Sequence, residues 1–319
     1  MSNLTQCQAS QSPACLVLAG RSPSKMEECI IAIKKDFPNT NFRTLHMDLS
    51  SQKSVRAAAA EFLSWSTVPK LDILVNSAGV MGIPEHTLTP EGIEMHLGCN
   101  HIGHYLFTNL IAPKLIKAAE SSPKGHVRVV NVSSGSPAIA GFRWSDYNFE
   151  KVNNTLPEAE QPNYTWLEGW GYKDVQSKSY VPIDAYNRSK VANLLFAVGA
   201  NKRWFEQHGI LTLALHPGVI ETELKRDFAK ETKEAVAELG KKGLYKLKTL
   251  GAGAATSLVA ALDPALAKGV GQERDGKENY GSYLMDCQIS EKADPRAISS
   301  AEAEKLWALS EELVGEKFA

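Results

Sequence analysis

Tyr186 and Lys190 are the residues whose types and spacing point most directly to chemistry. They precede the apolar run VANLLFAV, and a separation of four places both side chains on one face of a predicted helix. An ammonium group beside a phenol favours the phenolate, so we expect Lys190 to lower the pKa of Tyr186 toward a value useful in proton transfer. Tyr147 and Lys151 have the same spacing, so this pattern alone does not identify a site.

Five apolar runs alternate with stretches of helical spacing and supply the framework for such a site. They cover residues 15–20, 42–49, 71–79, 126–134 and 210–218. Apolar runs separated by helix-length segments indicate parallel strands joined by crossover helices. We therefore predict an α/β fold with a doubly wound, Rossmann-like parallel sheet. Because no internal repeat or low-complexity linker divides the sequence, we expect a single domain over residues 1–319.

Small and polar residues close several of these runs. Residues 76–79 (NSAG) end the third run, Ser133 and Ser134 end the fourth, and residues 216–218 (HPG) end the run that follows the Tyr186 helix. The carboxyl ends of parallel strands share one edge of a sheet, where ligands bind. We expect these residues to lie near Tyr186 at that edge.

Four motifs appear in order along the chain: residues 76–79, the Ser133-Ser134 pair, Tyr186 with Lys190, and residues 216–218. In this order and spacing they resemble the motifs of the short-chain dehydrogenase/reductase family, and the resemblance runs from about residue 14 to the C-terminus. The segments AGRSPSK, CNHIGHYLFTNLI, YNRSKVANLLF and KLWALSEELVG are most similar to the branch that contains retinol dehydrogenases and WW-domain oxidoreductases. This resemblance implies a fold that binds a nicotinamide dinucleotide and an activity that interconverts an alcohol and a carbonyl.

The resemblance also implies roles for individual residues. Ser134 would hydrogen-bond the substrate oxygen, Tyr186 would donate or accept the proton, and Lys190 would hold the nicotinamide ribose. Asn100 would hold a water that links Lys190 to solvent. Asp48 would contact the adenine. The adenosine side of the cofactor would be lined by Asn76, Ala78 and Gly79, and the nicotinamide amide would be covered by Pro217, Gly218, Val219 and Thr222.

Tyr147 competes with Tyr186 for the catalytic position. It lies 13 residues after Ser134, a separation common in shorter family members, whereas Tyr186 lies 52 residues after it. We assign Tyr186 because residues 152–158 (VNNTLPE), which follow Tyr147, cannot carry a long helix. In addition, Pro217 follows Tyr186 by 31 residues, as the family pattern requires.

Arg21 follows the first apolar run and bears on the choice of cofactor. A guanidinium at this position can pair with a 2′-phosphate, whereas an acidic residue would hold a free ribose hydroxyl. No Asp or Glu stands at this strand end, so we predict NADP in preference to NAD.

A long segment at about residues 136–183 interrupts the alternation of strands and helices. Segments of this length are usually functional or disordered. Its nine aromatic residues favour a packed lid over a bulky, partly apolar substrate, and a surface insertion that packs on itself is the alternative. These residues are Phe142, Trp144, Tyr147, Phe149, Tyr164, Trp166, Trp170, Tyr172 and Tyr180.

The glycine-rich turn that receives a pyrophosphate is the expected element that the sequence lacks. The first glycine is Gly20, and the 14 residues before the first apolar run are too few for a strand and a crossover. We expect the family's first strand to be missing from between residues 15–20 and 71–79, with unpaired backbone groups on both neighbours. An incorrect start in the gene model, a degenerate protein and a rearranged N-terminus all remain open.

Composition excludes several other classes of protein. With 35 basic and 36 acidic side chains there is no basic excess to suggest a nucleic-acid partner, and no run of 18 apolar residues predicts a membrane span. The N-terminus lacks the features of a signal peptide. Five cysteines without a CxxC pair favour a cytoplasmic protein. His96, His101 and His104 have no further ligand at metal-binding spacing, so we expect no metal site.

These observations lead to one functional hypothesis and one alternative. We predict an NADP-dependent oxidoreductase that interconverts an alcohol and a carbonyl on a small, bulky or apolar molecule, as a monomer or a homodimer. The alternative is a catalytically silent binding protein that keeps the fold, because the phosphate-binding turn is absent.

Overall fold

The computed structural model describes residues 2–318. The α-helices are α1 (Ser2–Ala9), α2 (Pro23–Lys34), α3 (Gln52–Ser64), α4 (Met95–Leu97), α5 (Gly103–Leu110), α6 (Ala112–Ala119), α7 (Tyr164–Gly169), α8 (Pro182–His208), α9 (Lys230–Lys241), α10 (Leu250–Leu262), α11 (Pro295–Ile298) and α12 (Ser300–Val314). The strands are β1 (Leu16–Gly20), β2 (Phe42–His46), β3 (Ile73–Asn76), β4 (Arg128–Val132), β5 (Leu211–His216), β6 (Val219–Ile220), β7 (Leu247–Lys248), β8 (Gln272–Arg274), β9 (Lys277–Tyr280), β10 (Tyr283–Met285) and β11 (Gln288–Ile289). The shorter helical turns are π-helical Gly98–Ile102 and 3₁₀-helical Ser136–Ala138, Trp144–Asp146, Asn153–Thr155, Glu158–Glu160, Val175–Ser177, Glu223–Lys225 and Pro264–Ala267.

The largest sheet has five strands in the order β11-β10-β5-β4-β3. Strands β3, β4, β5 and β10 are parallel, and β11 is antiparallel to β10. All five apolar runs of the sequence contain strands, and helices lie between them along the chain. The predicted α/β fold with a mostly parallel sheet is therefore confirmed.

Strands β1 and β2 form a separate two-stranded parallel sheet. Within residues 2–318, β1 pairs only with β2 and β3 pairs only with β4, so no strand joins the two sheets. This is the gap that the sequence predicts. Both sheets nevertheless share one apolar core, in which Leu45 and Met47 lie in the same cluster as Phe62 of α3 and Val129 of β4.

The 27-residue helix α8 crosses the centre of the molecule. Pro182 occupies its first turn, where the missing N–H costs no hydrogen bond, and Gly209 ends it in the left-handed region at φ +72°. Every residue from Ile183 to Asn201 is buried, because α8 packs against β4, β5, α11 and α12. Between Tyr147 and α7 the chain forms only the short 3₁₀ turns Asn153–Thr155 and Glu158–Glu160, which confirms that no long helix begins at Tyr147.

The segment between β4 and α8 is packed rather than extended. The buried Arg143 donates hydrogen bonds to Asn153 Oδ1 at 2.6 Å and to the Lys151 carbonyl at 2.8 Å. On α8, the buried Arg188 donates to the carbonyls of Gly141 at 2.8 Å and Glu160 at 2.9 Å. These two guanidinium groups fix the insertion internally and attach it to the helix that carries Tyr186.

Among residues 2–318, no helix combines the length and the apolar character needed to cross a bilayer.

Candidate active site

Ser134 and Tyr186 meet beyond the carboxyl end of β4. Tyr186 is 7% exposed and forms a hydrogen bond with Ser134. The Ser134 hydroxyl donates to Ser136 Oγ at 2.6 Å, and Ser136 in turn donates to Asn187 Oδ1 at 2.7 Å. The structure thus joins the two predicted catalytic residues and holds the serine through a chain of hydroxyl and amide groups.

Lys190 lies one turn after Tyr186 on α8, with its Nζ 5.7 Å from the centroid of the tyrosine ring. This ammonium donates to the Val132 carbonyl at 2.8 Å. Burial lowers the pKa of Lys190 to about 7, because an ammonium loses its hydration there. Burial of Tyr186 raises its pKa to about 12, and the hydrogen bond with Ser134 offsets only part of that rise. The expectation that Lys190 lowers the pKa of Tyr186 is therefore wrong for this arrangement, since desolvation dominates.

Asn100 lies in the π-helical turn Gly98–Ile102, a local distortion often found at functional sites. Its Oδ1 accepts from the Val80 N–H at 2.8 Å, and its Nδ2 donates to the Val80 carbonyl at 3.0 Å. The same Nδ2 lies 2.9 Å from Ser189 Oγ. Asn100 thus connects α8 to the loop after β3. The water that it would hold remains a prediction.

The surroundings of Lys190 fit the ribose of a nicotinamide nucleotide. An ammonium has three N–H donors, and within the described chain its only hydrogen-bond acceptor is the Val132 carbonyl. A Cβ on Gly79 would lie 2.8 Å from Asn100 Oδ1 and 3.6 Å from Lys190 Nζ, so only glycine allows the backbone to come this close. The ribose hydroxyls could accept the remaining Lys190 hydrogen bonds.

The residues predicted for the adenosine side of the cofactor differ in burial and in their hydrogen-bond partners. The buried Asn76 donates to Asn131 Oδ1 at 2.9 Å and to Thr108 Oγ1 at 3.1 Å, so its side chain connects β3 to β4 and α5. Asp48 accepts from the Ser50 hydroxyl at 2.7 Å. Arg21 and Ala78 are exposed, and within residues 2–318 the Arg21 guanidinium has no ion-pair partner. No glycine precedes Gly20, so the described chain offers no glycine-rich cradle for the pyrophosphate.

The residues predicted for the nicotinamide amide follow β5. Pro217, Gly218 and Val219 are half-buried, whereas Thr222 is exposed and caps a 3₁₀ turn by accepting from Leu224 N at 3.3 Å. Gly218 has φ +90°, and a Cβ there would lie 2.6 Å from the Lys248 side chain, so this turn requires glycine.

An apolar cluster, which we call the Tyr186 cluster, surrounds the tyrosine on its other side. The insertion contributes Trp166 and Trp170, whose ring centroids lie 4.7 Å apart, and Trp170 contacts Phe228 edge-on at 6.4 Å. Phe228 lies against the backbone of Gly82, where a Cβ would be 2.3 Å from the ring. The full cluster consists of Met81, Tyr164, Trp166, Leu167, Trp170, Tyr172, Val175, Val181, Ile183, Tyr186, Phe228, Val236 and Tyr245.

Sequence reasoning missed several groups that hold these residues in place. Ser136 and Asn187 stand within or beside the recognised motifs, and their proximity in sequence was an available signal. Tyr283 donates to the Ser134 carbonyl at 2.6 Å from β10, and no local pattern indicates that contact. Tyr147 packs against the apolar core cluster that includes residues of α3 and α5, and among the described residues it takes no part in the hydrogen bonds of Ser134 and Ser136.

Comparison with known proteins identifies the family. The short chain dehydrogenase family profile matches residues 6–152. The chain is 33% identical over 302 residues to the chloroplastic short-chain dehydrogenase TIC 32 A of Brassica napus, covering 94% of this chain and 80% of that protein. It is also 33% identical over 298 residues to human retinol dehydrogenase 12, covering 93% and 78% of the two chains.

Solved structures agree with this grouping. A protein from Mycobacterium paratuberculosis that has no assigned function is 26% identical with a TM-score of 0.58, covering 100% of this chain and 92% of that one. The NADPH-bound carbonyl reductase from chicken fatty liver has the same fold at 18% identity, with a TM-score of 0.53 and coverage of 82% and 88%. The chain belongs to the short-chain dehydrogenase/reductase family and is an oxidoreductase that uses a nicotinamide cofactor.

Proposed function

We propose that the protein is an NADP-dependent oxidoreductase that interconverts an alcohol and a carbonyl on a small, bulky and apolar molecule. The observation that carries this proposal is the placement of the Tyr186 side chain. Its hydroxyl is hydrogen-bonded to Ser134, its ring centroid lies 5.7 Å from Lys190 Nζ, and it borders an apolar cluster. A carbonyl oxygen placed between the two hydroxyl groups would meet a hydrogen-bond donor and a proton donor together.

The proposed mechanism assigns the proton to Tyr186 and the substrate oxygen to Ser134. With a pKa of about 12, Tyr186 is protonated at neutral pH and can donate to the oxygen of a carbonyl as charge develops there. Ser134 would hydrogen-bond the same oxygen, and Ser136 and Asn187 keep its hydroxyl in place. The nicotinamide, when bound, supplies or accepts the hydride. In the oxidation direction, Tyr186 would accept the proton of the alcohol.

The proposed cofactor contacts extend from Lys190 to Arg21. Lys190 and the Gly79 backbone would hold the nicotinamide ribose, with Asn100 fixing the loop between them. The exposed guanidinium of Arg21, without an ion pair in the described chain, supports a 2′-phosphate as its partner and hence NADP. Pro217 and Val219 would border the nicotinamide amide.

The proposed substrate class rests on the Tyr186 cluster. Aromatic and aliphatic side chains dominate it, and pockets of this composition bind apolar ligands through a few polar groups. One relative is named a retinol dehydrogenase, which agrees with chemistry on an apolar alcohol. A reducing compartment such as the cytoplasm is part of the proposal, supported by five free cysteines. We propose a monomer or homodimer.

The test is a turnover assay with a panel of carbonyl compounds, from small polar aldehydes to bulky aromatic and long aliphatic ketones, with NADPH and with NADH. We expect oxidation of NADPH with the bulky apolar compounds at a higher kcat/KM than with the small ones. Lack of turnover with every compound, together with no saturable binding of NADPH, would favour the catalytically silent protein instead.

A further inference from the structure

Glu94 and His96 form a buried pair beside Tyr186 to which the proposed function gives no role. Both residues are 0% exposed, and His96 Nδ1 lies 2.7 Å from Glu94 Oε1. The other carboxylate oxygen of Glu94 accepts from the Leu97 N–H at 2.9 Å. The ring of His96 meets the ring of Tyr186 edge-on at 6.4 Å, with an angle of 77° between the planes.

The hydrogen bonds of His96 define its tautomer. Its Nε2 accepts from the Ile83 backbone N–H at 3.4 Å, so this nitrogen carries no proton. The proton therefore resides on Nδ1 and is donated to the Glu94 carboxylate. Glu94 thus fixes the orientation of the His96 imidazole. The ring then accepts from the Ile83 N–H through Nε2 and contacts the Tyr186 ring edge-on.

The loop that receives this contact, residues 80–83, forms one wall of the Tyr186 cluster. Asn100 binds both the N–H and the carbonyl of Val80, and the Tyr180 hydroxyl donates to the Ile83 carbonyl at 2.8 Å. Gly82 supplies the flat surface on which Phe228 packs. Of these contacts, only the hydrogen bond from the Ile83 N–H to His96 depends on where the imidazole proton lies, and Glu94 sets that position.

We propose that Glu94 and His96 are positioning residues for the reaction: by fixing the His96 tautomer, Glu94 holds the Ile83 N–H and thereby the loop wall against which Phe228 and the substrate pack. This inference rests on the proposed function, because it assigns the loop to the substrate pocket. Neither residue touches the reacting atoms, so the effect falls on substrate fit.

Glu94→Gln tests the proposal by exchanging one oxygen for an NH₂ group of similar shape. If the amide nitrogen of the new side chain faces Leu97, its N–H groups point at the Leu97 backbone N–H, which then has no acceptor. If it faces His96, it must donate to Nδ1, which moves the ring proton to Nε2 and opposes it to the Ile83 N–H. No orientation of the new amide satisfies both the Leu97 N–H and the His96 ring in its present tautomer. The substitution therefore costs a hydrogen bond either at Ile83 or at Leu97.

The experiment measures amide hydrogen exchange and steady-state kinetics on the full chain. In Glu94→Gln we expect exchange at Ile83 to be about 10-fold faster, since one lost hydrogen bond corresponds to roughly that factor. We expect KM for a bulky carbonyl to rise about 10-fold with kcat changed less than about 3-fold, because the wall shifts while Ser134 and Tyr186 stay in place.

Asp146→Asn is the matched control, because Asp146 is also a buried carboxylate, paired with Arg143 in the insertion. It should lower the thermal midpoint without changing Ile83 exchange or KM. If Glu94→Gln and His96→Leu, which removes the acceptor for the Ile83 N–H, both lower only the midpoint, the pair has a purely structural role and the proposal is wrong.

Substitutions of His96 provide a second, independent measurement. His96→Gln keeps one donor and one acceptor and should retain near-normal Ile83 exchange and KM, whereas His96→Leu should behave like Glu94→Gln. Equal effects of both His96 variants would overturn the proposal. The exchange measurement needs no turnover, so an enzyme that reduces no carbonyl would refute the proposed function while still deciding whether Glu94 holds the loop.

Discussion

The five-stranded and two-stranded sheets differ in how firmly the protein holds the predicted site residues at their edges. In the five-stranded sheet, Ser134 and Tyr186 are hydrogen-bonded in place, and Lys190 is buried beside them. In the two-stranded sheet, Arg21 is exposed at the end of β1 and Asp48 is half-buried after β2. The proposed catalytic groups are thus held in place by the protein itself, whereas Arg21 and Asp48, the proposed cofactor contacts, lie exposed or half-buried at the edge of the smaller sheet. One chain can thus hold its proposed catalytic groups in place without holding its proposed cofactor contacts to the same degree.

The largest effect is expected when the hydroxyl group of Tyr186 is removed. Tyr186→Phe should lower kcat by about 10³-fold, within the usual range for the loss of a general acid. Tyr147→Phe, the matched control, should change kcat less than about 2-fold, because Tyr147 packs against the core and its hydroxyl takes no part in the hydrogen bonds of Ser134 within the described residues. Steady-state assays of both variants give the answer, and the reverse ranking would refute the assignment of Tyr186.

The second prediction concerns backbone protection in the two sheets. Strand β4 pairs on both sides, whereas within the described chain β1 pairs only with β2. We expect amides of β1 to exchange about 100-fold faster than those of β4, since strands differ in the free energy of local opening. Hydrogen exchange with peptide resolution measures both. Equal protection would show that the small sheet opens only when the whole molecule unfolds.

A smaller effect should follow from Arg21→Gln at the edge of the two-stranded sheet. Loss of an exposed charge-assisted contact to a 2′-phosphate should weaken NADPH about 10-fold relative to NADH, a difference of about 1.4 kcal/mol. Arg43→Gln on β2 is the control, because Arg43 stacks on Trp65 and donates to Thr67. Titration of nucleotide fluorescence gives both dissociation constants, and unchanged preference in Arg21→Gln would remove the argument for NADP.

The last prediction concerns a pH dependence of stability caused by Lys190, which is smallest when taken per pH unit. Its pKa is about 7 in the folded chain, against 10.5 as the ordinary value, so above pH 7 the unfolded chain binds more protons. The free energy of unfolding should therefore rise with pH, by about 1 kcal/mol per unit between pH 7 and 9. Tyr186 opposes this rise only above pH 10, where the unfolded tyrosine ionises.

Lys190→Met separates this contribution from that of other titrating groups. Urea unfolding of both proteins at pH 7, 8 and 9 should give a steeper rise for the unsubstituted chain than for the variant. Parallel curves would mean that Lys190 keeps an ordinary pKa when buried.

The sequence was sufficient to predict the strands and the Tyr186 helix because both signals are local. Apolar runs report burial on both faces of a strand, and the long helix begins at Pro182 just before Tyr186. The separation of β1 and β2 from the larger sheet was also expected, and within residues 2–318 it is confirmed.

The remaining features depend on contacts between distant parts of the chain. The predicted shift in the pKa of Tyr186 had the wrong sign because spacing reveals a neighbouring ammonium but not the loss of water around the phenol. His96 was considered only for metal binding, whereas its partners are a carboxylate two residues away and a backbone amide in another loop. Tyr283 reached Ser134 through the sheet order, which no motif encodes.

The hydrogen bond from Tyr283 to Ser134 also affects the order of events during synthesis. It joins residues 149 positions apart, so the Ser134 carbonyl lacks this hydrogen bond until β10 has been made and has paired with β5. Contacts of such high sequence separation form slowly, because the chain between them must first lose conformational entropy. A nascent chain that contains every predicted catalytic residue would therefore still lack a complete active site until its C-terminal strands are added.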